Sequence, residues 1–159
     1  MKFTTILKNK SFLFVKKQFT NKEGKLLKYL APAGCEVVHH RGLRRGAITR
    51  ILMLSRLITF KVVTYTTDRN RLYFNDILKE GDFFGIKFWS HRHTVEKCGP
   101  AHEDTAIIDE IEFTTKNKAL DLFYKALLTL YFLIRKVKYK LFFKINWGEY
   151  DEEVLAWRE

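Results

Sequence analysis

Cysteine is scarce in this sequence: there are two in 159 residues, Cys35 and Cys98. Two thiols cannot build a disulfide framework, and their number fits a reducing compartment. Proline is as rare, with two, and glycine numbers eight, which excludes collagen-like and low-complexity chains. Long apolar runs are missing as well. The most apolar stretch, 126–134, is nine residues between Lys125 and Arg135, less than half of the ~20 that a membrane span needs. The opening residues, 1–8, contain no apolar region of signal-peptide length. These absences predict a soluble, cytoplasmic domain.

Acidic residues are also missing from one half. Residues 1–61 carry 14 Lys and Arg against Glu23 and Glu36, whereas the other 98 residues hold 15 basic and 16 acidic groups. A basic half suits an anionic surface such as acidic lipid head groups. No nucleic-acid-binding motif accompanies it, so nucleic acid is not the expected partner. A solvated lysine-rich surface explains the same charge without any partner. Apolar residues at 47% and aromatics at 15% are ample for a folded core.

Hydrophobic periodicity sets the order of elements. Residues 2–8 read as a strand. Ser11 suits the cap of a short helix carrying Phe12, Val15 and Phe19, and Asn21 the cap of a second over 22–30, stopped at Pro32-Ala33-Gly34. Short β-patterned runs follow at 35–41, 48–54, 57–67, 71–78, 86–97 and 105–115. Beyond Asn117 the period becomes helical, with Leu120, Phe123, Leu127, Leu130, Ile134, Val137, Leu141 and Ile145 three or four apart. The extra apolar residues Leu122, Tyr124, Leu128, Tyr131, Phe132 and Leu133 predict that the first half of this helix is buried on more than one side. Its second half reads as amphipathic and basic, with Arg135, Lys136, Lys138, Lys140 and Lys144. Residues 1–148 form one expected domain and 149–159 an acidic tail. Strands followed by a helix, without alternation, indicate an α+β fold. A curved antiparallel sheet of about six to seven strands around the long helix would enclose a cavity of the kind that takes small apolar ligands.

One hairpin carries polar chemistry on its apolar face. With a turn centred near Ala101, paired residue numbers sum to 202. That places His93 opposite Asp109, His91 opposite Ile111, Trp89 opposite Phe113 and Val95 opposite Ile107, all on one face. A His–Asp pair there satisfies two groups that are costly to bury alone. It can pin the register, orient the polar end of a ligand, or act as an acid/base. His-x-His with a carboxylate nearby is also a weak metal-ligand pattern. Cys98-x-x-x-His102 lacks the second pair of a zinc site, and His39-His40 are adjacent on a strand and face opposite sides.

These residues resemble a known family. Trp89-Ser-His91-Arg-His93 followed by Thr105, Asp109 and Phe113, with Phe74-Asn-Asp76 and Gly81-Asp-Phe83 upstream, is similar to the signature of the ligand-binding SRPBCC proteins of the START/Bet v 1-like helix-grip superfamily. The resemblance implies two short helices after the first strand and a closing grip helix. It also implies an internal cavity for a hydrophobic small molecule such as a lipid, quinone or polyketide-like compound. The expected ligand-contacting set is Trp89, His91, His93, Asp109, Phe113, Phe123, Tyr124, Leu127 and Tyr131, with no metal and no cofactor. Binding for transport or sequestration is the leading expectation, with peripheral contact to an anionic membrane. The alternative is a cyclase-, dehydratase- or hydrolase-like enzyme using His93 with Asp109. Oligomeric state is left open.

Overall fold

The computed structural model describes residues 1–81, 85–99 and 103–145. Seven strands, β1 (Lys2–Leu7), β2 (Cys35–His39), β3 (Ile48–Met53), β4 (Arg56–Thr67), β5 (Arg71–Glu80), β6 (Ile86–Cys98) and β7 (Asp104–Thr115), form one antiparallel sheet in the order β1-β7-β6-β5-β4-β3-β2. Register shifts interrupt β2–β3, β4–β5 and β5's far neighbour pair β6–β7 near Ile86. Such bulges bend strands and increase twist, which lets the sheet wrap. Between β1 and β2 lie α1 (Phe12–Thr20) and α2 (Lys25–Leu30), and α3 (Lys118–Ile145) closes the chain.

Local chemistry explains how each helix starts. The Ser11 hydroxyl accepts the Phe14 amide at 3.2 Å, and the Asn117 side chain accepts the Leu120 amide at 2.9 Å, each satisfying an orphan donor of a first turn. Asn21 does not cap α2. Its side chain accepts the Glu23 amide in a tight turn, and the helix starts later, behind Gly24 at φ 64°, a conformation that glycine adopts without penalty. The expected end of α3 at Gly148, the tail 149–159, Phe83 and His102 lie outside the described residues.

The long helix corrects the sequence reading. Its core-facing side chains are Leu128, Phe132, Arg135, Tyr139, Phe142 and Phe143. The expected stripe faces outward instead: Phe123, Leu127, Leu130, Ile134, Val137 and Leu141 are all between 46% and 60% exposed. The first half of α3 is therefore covered on one side, not several, with Leu122 and Leu133 exposed too. Arg135, expected within the amphipathic, basic second half, is 7% exposed. Two seams at helical spacing compete in this sequence. The winner is the aromatic one, because Phe3 stacks on Phe132 at 5.1 Å and Phe14 meets Phe143 edge-on at 5.8 Å, and aromatic pairs bury the most area.

Candidate functional site

The hairpin of β6 and β7 has the register expected from its sequence: His93 pairs with Asp109, His91 with Ile111, Trp89 with Phe113 and Val95 with Ile107. On the other side β5 brings Phe74 opposite His93 and Asp76 opposite His91. Strand alternation sends all of these inward, toward α3. The face is apolar at both ends, with one cluster around Val95, Leu72, Phe74 and Tyr139 and a second around Trp89, Ile111, Leu128 and Phe132. The polar residues sit at the seam between them. His93 stacks on Phe74 with centroids 4.3 Å apart, and His91 meets the Phe132 edge at 5.3 Å.

Asp109 is the hub. Its Oδ1 accepts from His91 Nε2 at 3.0 Å. His93 Nδ1 lies 2.9 Å from the same oxygen, off the line of a good hydrogen bond. His93 Nε2 lies 3.3 Å from Asp76 Oδ2, diagonally across β5 and β6. From α3, the Arg135 guanidinium approaches Asp109 Oδ1 to 3.8 Å. It donates to the Tyr139 hydroxyl from Nε at 3.0 Å and Nη2 at 2.8 Å, and to Tyr131 from Nη1 at 3.2 Å. Tyr131 in turn donates to the Leu30 carbonyl at 3.2 Å. One connected network thus joins three strands, α3 and the end of α2.

Burial and pairing oppose each other here. Burial opposes charge on Asp109, yet the Arg135 cation and the two imidazoles hold its carboxyl well below the ordinary carboxylate range. Burial also opposes charge on His93, and the Asp109 and Asp76 carboxylates outweigh it, so its pKa is raised. His91 goes the other way. Burial, aided by the neighbouring His93 charge, lowers it to about 4. Burial pushes the Tyr139 phenol up, so it serves as a neutral acceptor for Arg135. Two histidines on one strand face are thereby shifted in opposite directions, His91 toward the neutral form and His93 toward the cationic one.

A cavity of about 580 Å³ lies between the sheet, α2 and α3, within the range that holds drug-sized molecules. Trp89, His91, His93, Phe123, Tyr124, Leu127 and Tyr131 line it. Two of the expected residues are not on its surface. Asp109, 2% exposed, holds the histidines, and Phe113 packs against Tyr124 at 6.5 Å. Asp76, Arg135 and His40 line the cavity as well. Asp76 carries a readable signal: Leu72, Phe74 and Asp76 alternate on the apolar face of β5. Arg135 is hidden in a run of basic residues, and only its phase with Phe132 and Tyr139 marks it.

No protein-family model matches the chain, and no curated protein matches its sequence. Solved structures do match. A major latex-like protein from Panax ginseng is 14% identical, over 87% of this chain and 93% of its own, with a TM-score of 0.55. A START superfamily protein from Mycobacterium smegmatis is 13% identical, over 87% and 95%, with a TM-score of 0.52. A hypothetical protein from Helicobacter pylori is 15% identical, over 87% and 86%, with a TM-score of 0.56. The chain has the START/Bet v 1-like helix-grip fold. Identities this low speak to the fold alone.

Proposed function

We propose that this chain binds a hydrophobic small molecule, lipid-, quinone- or polyketide-like, in the cavity under α3, with the ligand's polar end at His91, His93 and Asp76. One observation carries the reading: a roughly 580 Å³ apolar cavity whose wall holds a connected His–Asp–Arg network. Trp89, Phe123, Tyr124, Leu127 and Tyr131 supply apolar contact, and Asp109 orients the histidines from behind. Native mass spectrometry of freshly purified protein, followed by organic extraction, tests it. A discrete added mass, released on denaturation and lost in Trp89→Ala, is expected. An apo mass that stays apo when the protein is incubated with a panel of lipids and quinones would sink the reading.

The outer face of α3 supports exchange at an anionic membrane. Leu130, Ile134, Val137 and Leu141 are exposed together with Phe123 and Leu127, which also line the cavity. Lys140 and Lys144 lie beside them, exposed. An apolar face flanked by lysines is the pattern of an interfacial helix. A second copy of the chain fits less well, because no described acidic residue of α3 lies on that face to meet the lysines. Sedimentation with phosphatidylserine vesicles, weakened by salt and by Val137→Asp, is the expected result.

The alternative, an acid/base enzyme, draws on the contact of His93 with two carboxylates. Its raised pKa suits a general acid rather than a base. It requires His93→Gln to abolish turnover of a bound compound while the fold persists.

A further inference from the structure

Among the described residues, Asp76, His91 and His93 each place one donor atom within 4.8 Å of those of the other two. We propose that these three side chains form a binding site for a first-row divalent cation on the cavity wall. This proposal goes beyond apolar ligand binding and does not depend on it.

One of the three spacings matches that of an ion directly. Two ligands at ~2.0–2.2 Å from one first-row metal, at tetrahedral to right angles, lie roughly 3.0–3.5 Å apart, and Asp76 Oδ2 is 3.3 Å from His93 Nε2. The ring nitrogens divide in the required way. His91 turns Nε2 to Asp109 at 3.0 Å, and His93 turns Nδ1 to the same oxygen at 2.9 Å. Each ring then has its other nitrogen left for the ion. A carboxylate holding the far side of ligating imidazoles is the usual outer support of a metal site, fixing tautomer and ring orientation. Here Asp109 gives that support to His91 by a hydrogen bond and lies 2.9 Å from His93 Nδ1, with Arg135 at 3.8 Å beside it.

The donor set selects the class of ion. Two imidazoles and a carboxylate suit Zn²⁺, Fe²⁺, Mn²⁺ or Co²⁺ and disfavour Ca²⁺ and Mg²⁺, which take oxygen. His91 and His93 are 6% and 5% exposed, and all three residues line the cavity. An ion there keeps its remaining positions toward the cavity, where an oxygen-bearing end of an apolar ligand can reach it. His-x-His alone is a weak pattern, and the third ligand comes from a strand 15 or more residues upstream in the chain.

The test is a titration of the chelator-treated full chain with Zn²⁺ by calorimetry and with Co²⁺ by absorption. One equivalent is expected to bind, with Co²⁺ ligand-field bands and no thiolate charge-transfer band, which sets the site apart from Cys35 and Cys98. Asp76→Asn and His91→Gln should each weaken binding at least ~100-fold, Asp109→Asn by about 10–100-fold, and His39→Gln not at all. Asp76 is only partly buried, so its amide variant should keep the fold, checked by near-ultraviolet circular dichroism. A wild-type chain that takes up no stoichiometric ion overturns the proposal. So does binding that survives Asp76→Asn and His91→Gln, or a cobalt spectrum dominated by thiolate.

Discussion

The two faces of α3 make opposite predictions from side chains less than one and a half turns apart. Phe132 is 1% exposed and stacks on Phe3, whereas Val137 is 58% and Leu130 57% exposed. Truncating a buried phenylalanine removes its transfer free energy and leaves a void, so Phe132→Ala should cost ~3–5 kcal/mol. Exposed positions away from special features usually change stability by less than ~0.5 kcal/mol, so Leu130→Ser and Val137→Ser should each fall within that limit. For a chain of this size the core variant corresponds to a loss of roughly 6–20 °C in Tm, and the surface variants to about 2 °C or less.

Guanidinium unfolding of lipid-free protein at two concentrations measures both faces. The expected pattern is a large fall in midpoint for Phe132→Ala and nearly unchanged midpoints for the two serine variants, independent of concentration. Losses above ~1.5 kcal/mol in Leu130→Ser and Val137→Ser would refute the assignment of that face to solvent. If those losses grew with protein concentration, the face would be covered by a second copy, and the membrane reading would fail with it.

Stability should peak near pH 6.5 in metal-free buffer. His91 has a folded pKa of about 4 against 6.5 unfolded, so below pH 6.5 the unfolded chain takes up a proton that the folded chain refuses, and stability falls toward pH 4 by up to about 3 kcal/mol. His93 acts with the opposite sign: its raised pKa gives stability that is full below pH 6.5 and lost as pH climbs through the folded value. Thermal melts across pH 4–9 check this, with His91→Gln flattening the acid limb except for the smaller slope left by His40, whose pKa burial also lowers. A melting profile without a maximum would contradict the assignment. Arg135→Met should cost ~3–5 kcal/mol, because it strips the cation from a buried carboxylate. Adding Asp109→Asn should recover part of that loss, and full additivity of the two changes would show that the residues do not interact.

The hairpin register was legible because two independent signals agree on it. Alternation puts Trp89, His91, His93 and Val95 on one face, and the expected pairing sum of 202, which the register matches, sends Asp109 and Ile111 to the same side. The faces of α3 were not legible in the same way. Its sequence contains an all-apolar seam through Phe123, Leu130 and Val137 and a second through Leu128, Phe132, Arg135 and Tyr139. Hydrophobicity favours the first, while the core uses the second. Only the tertiary fact that Tyr139, Tyr131 and Asp109 stand ready to satisfy a guanidinium makes Arg135 a core residue. The network was half visible for the same reason: β7 supplied Asp109 by local pairing, whereas Asp76 and Arg135 arrive from elements whose placement a pairing rule does not give.

The register of the hairpin does not require that network. Val95–Ile107 and Trp89–Phe113 flank it on the same face of β6 and β7, and a one-residue slip would turn both apolar pairs to the wrong side. The register is thus fixed without His93 and Asp109. Buried ionic groups are also a poor route to stability, since apolar residues of similar volume often serve as well or better. Here two carboxylates, two imidazoles and a guanidinium are gathered at the seam of two apolar clusters, at the wall of a cavity large enough for a ligand. Folding alone gives no reason to leave His91, His93 and Asp76 facing that space. The proposed recognition of something polar within it, at the end of an otherwise apolar ligand, would supply one.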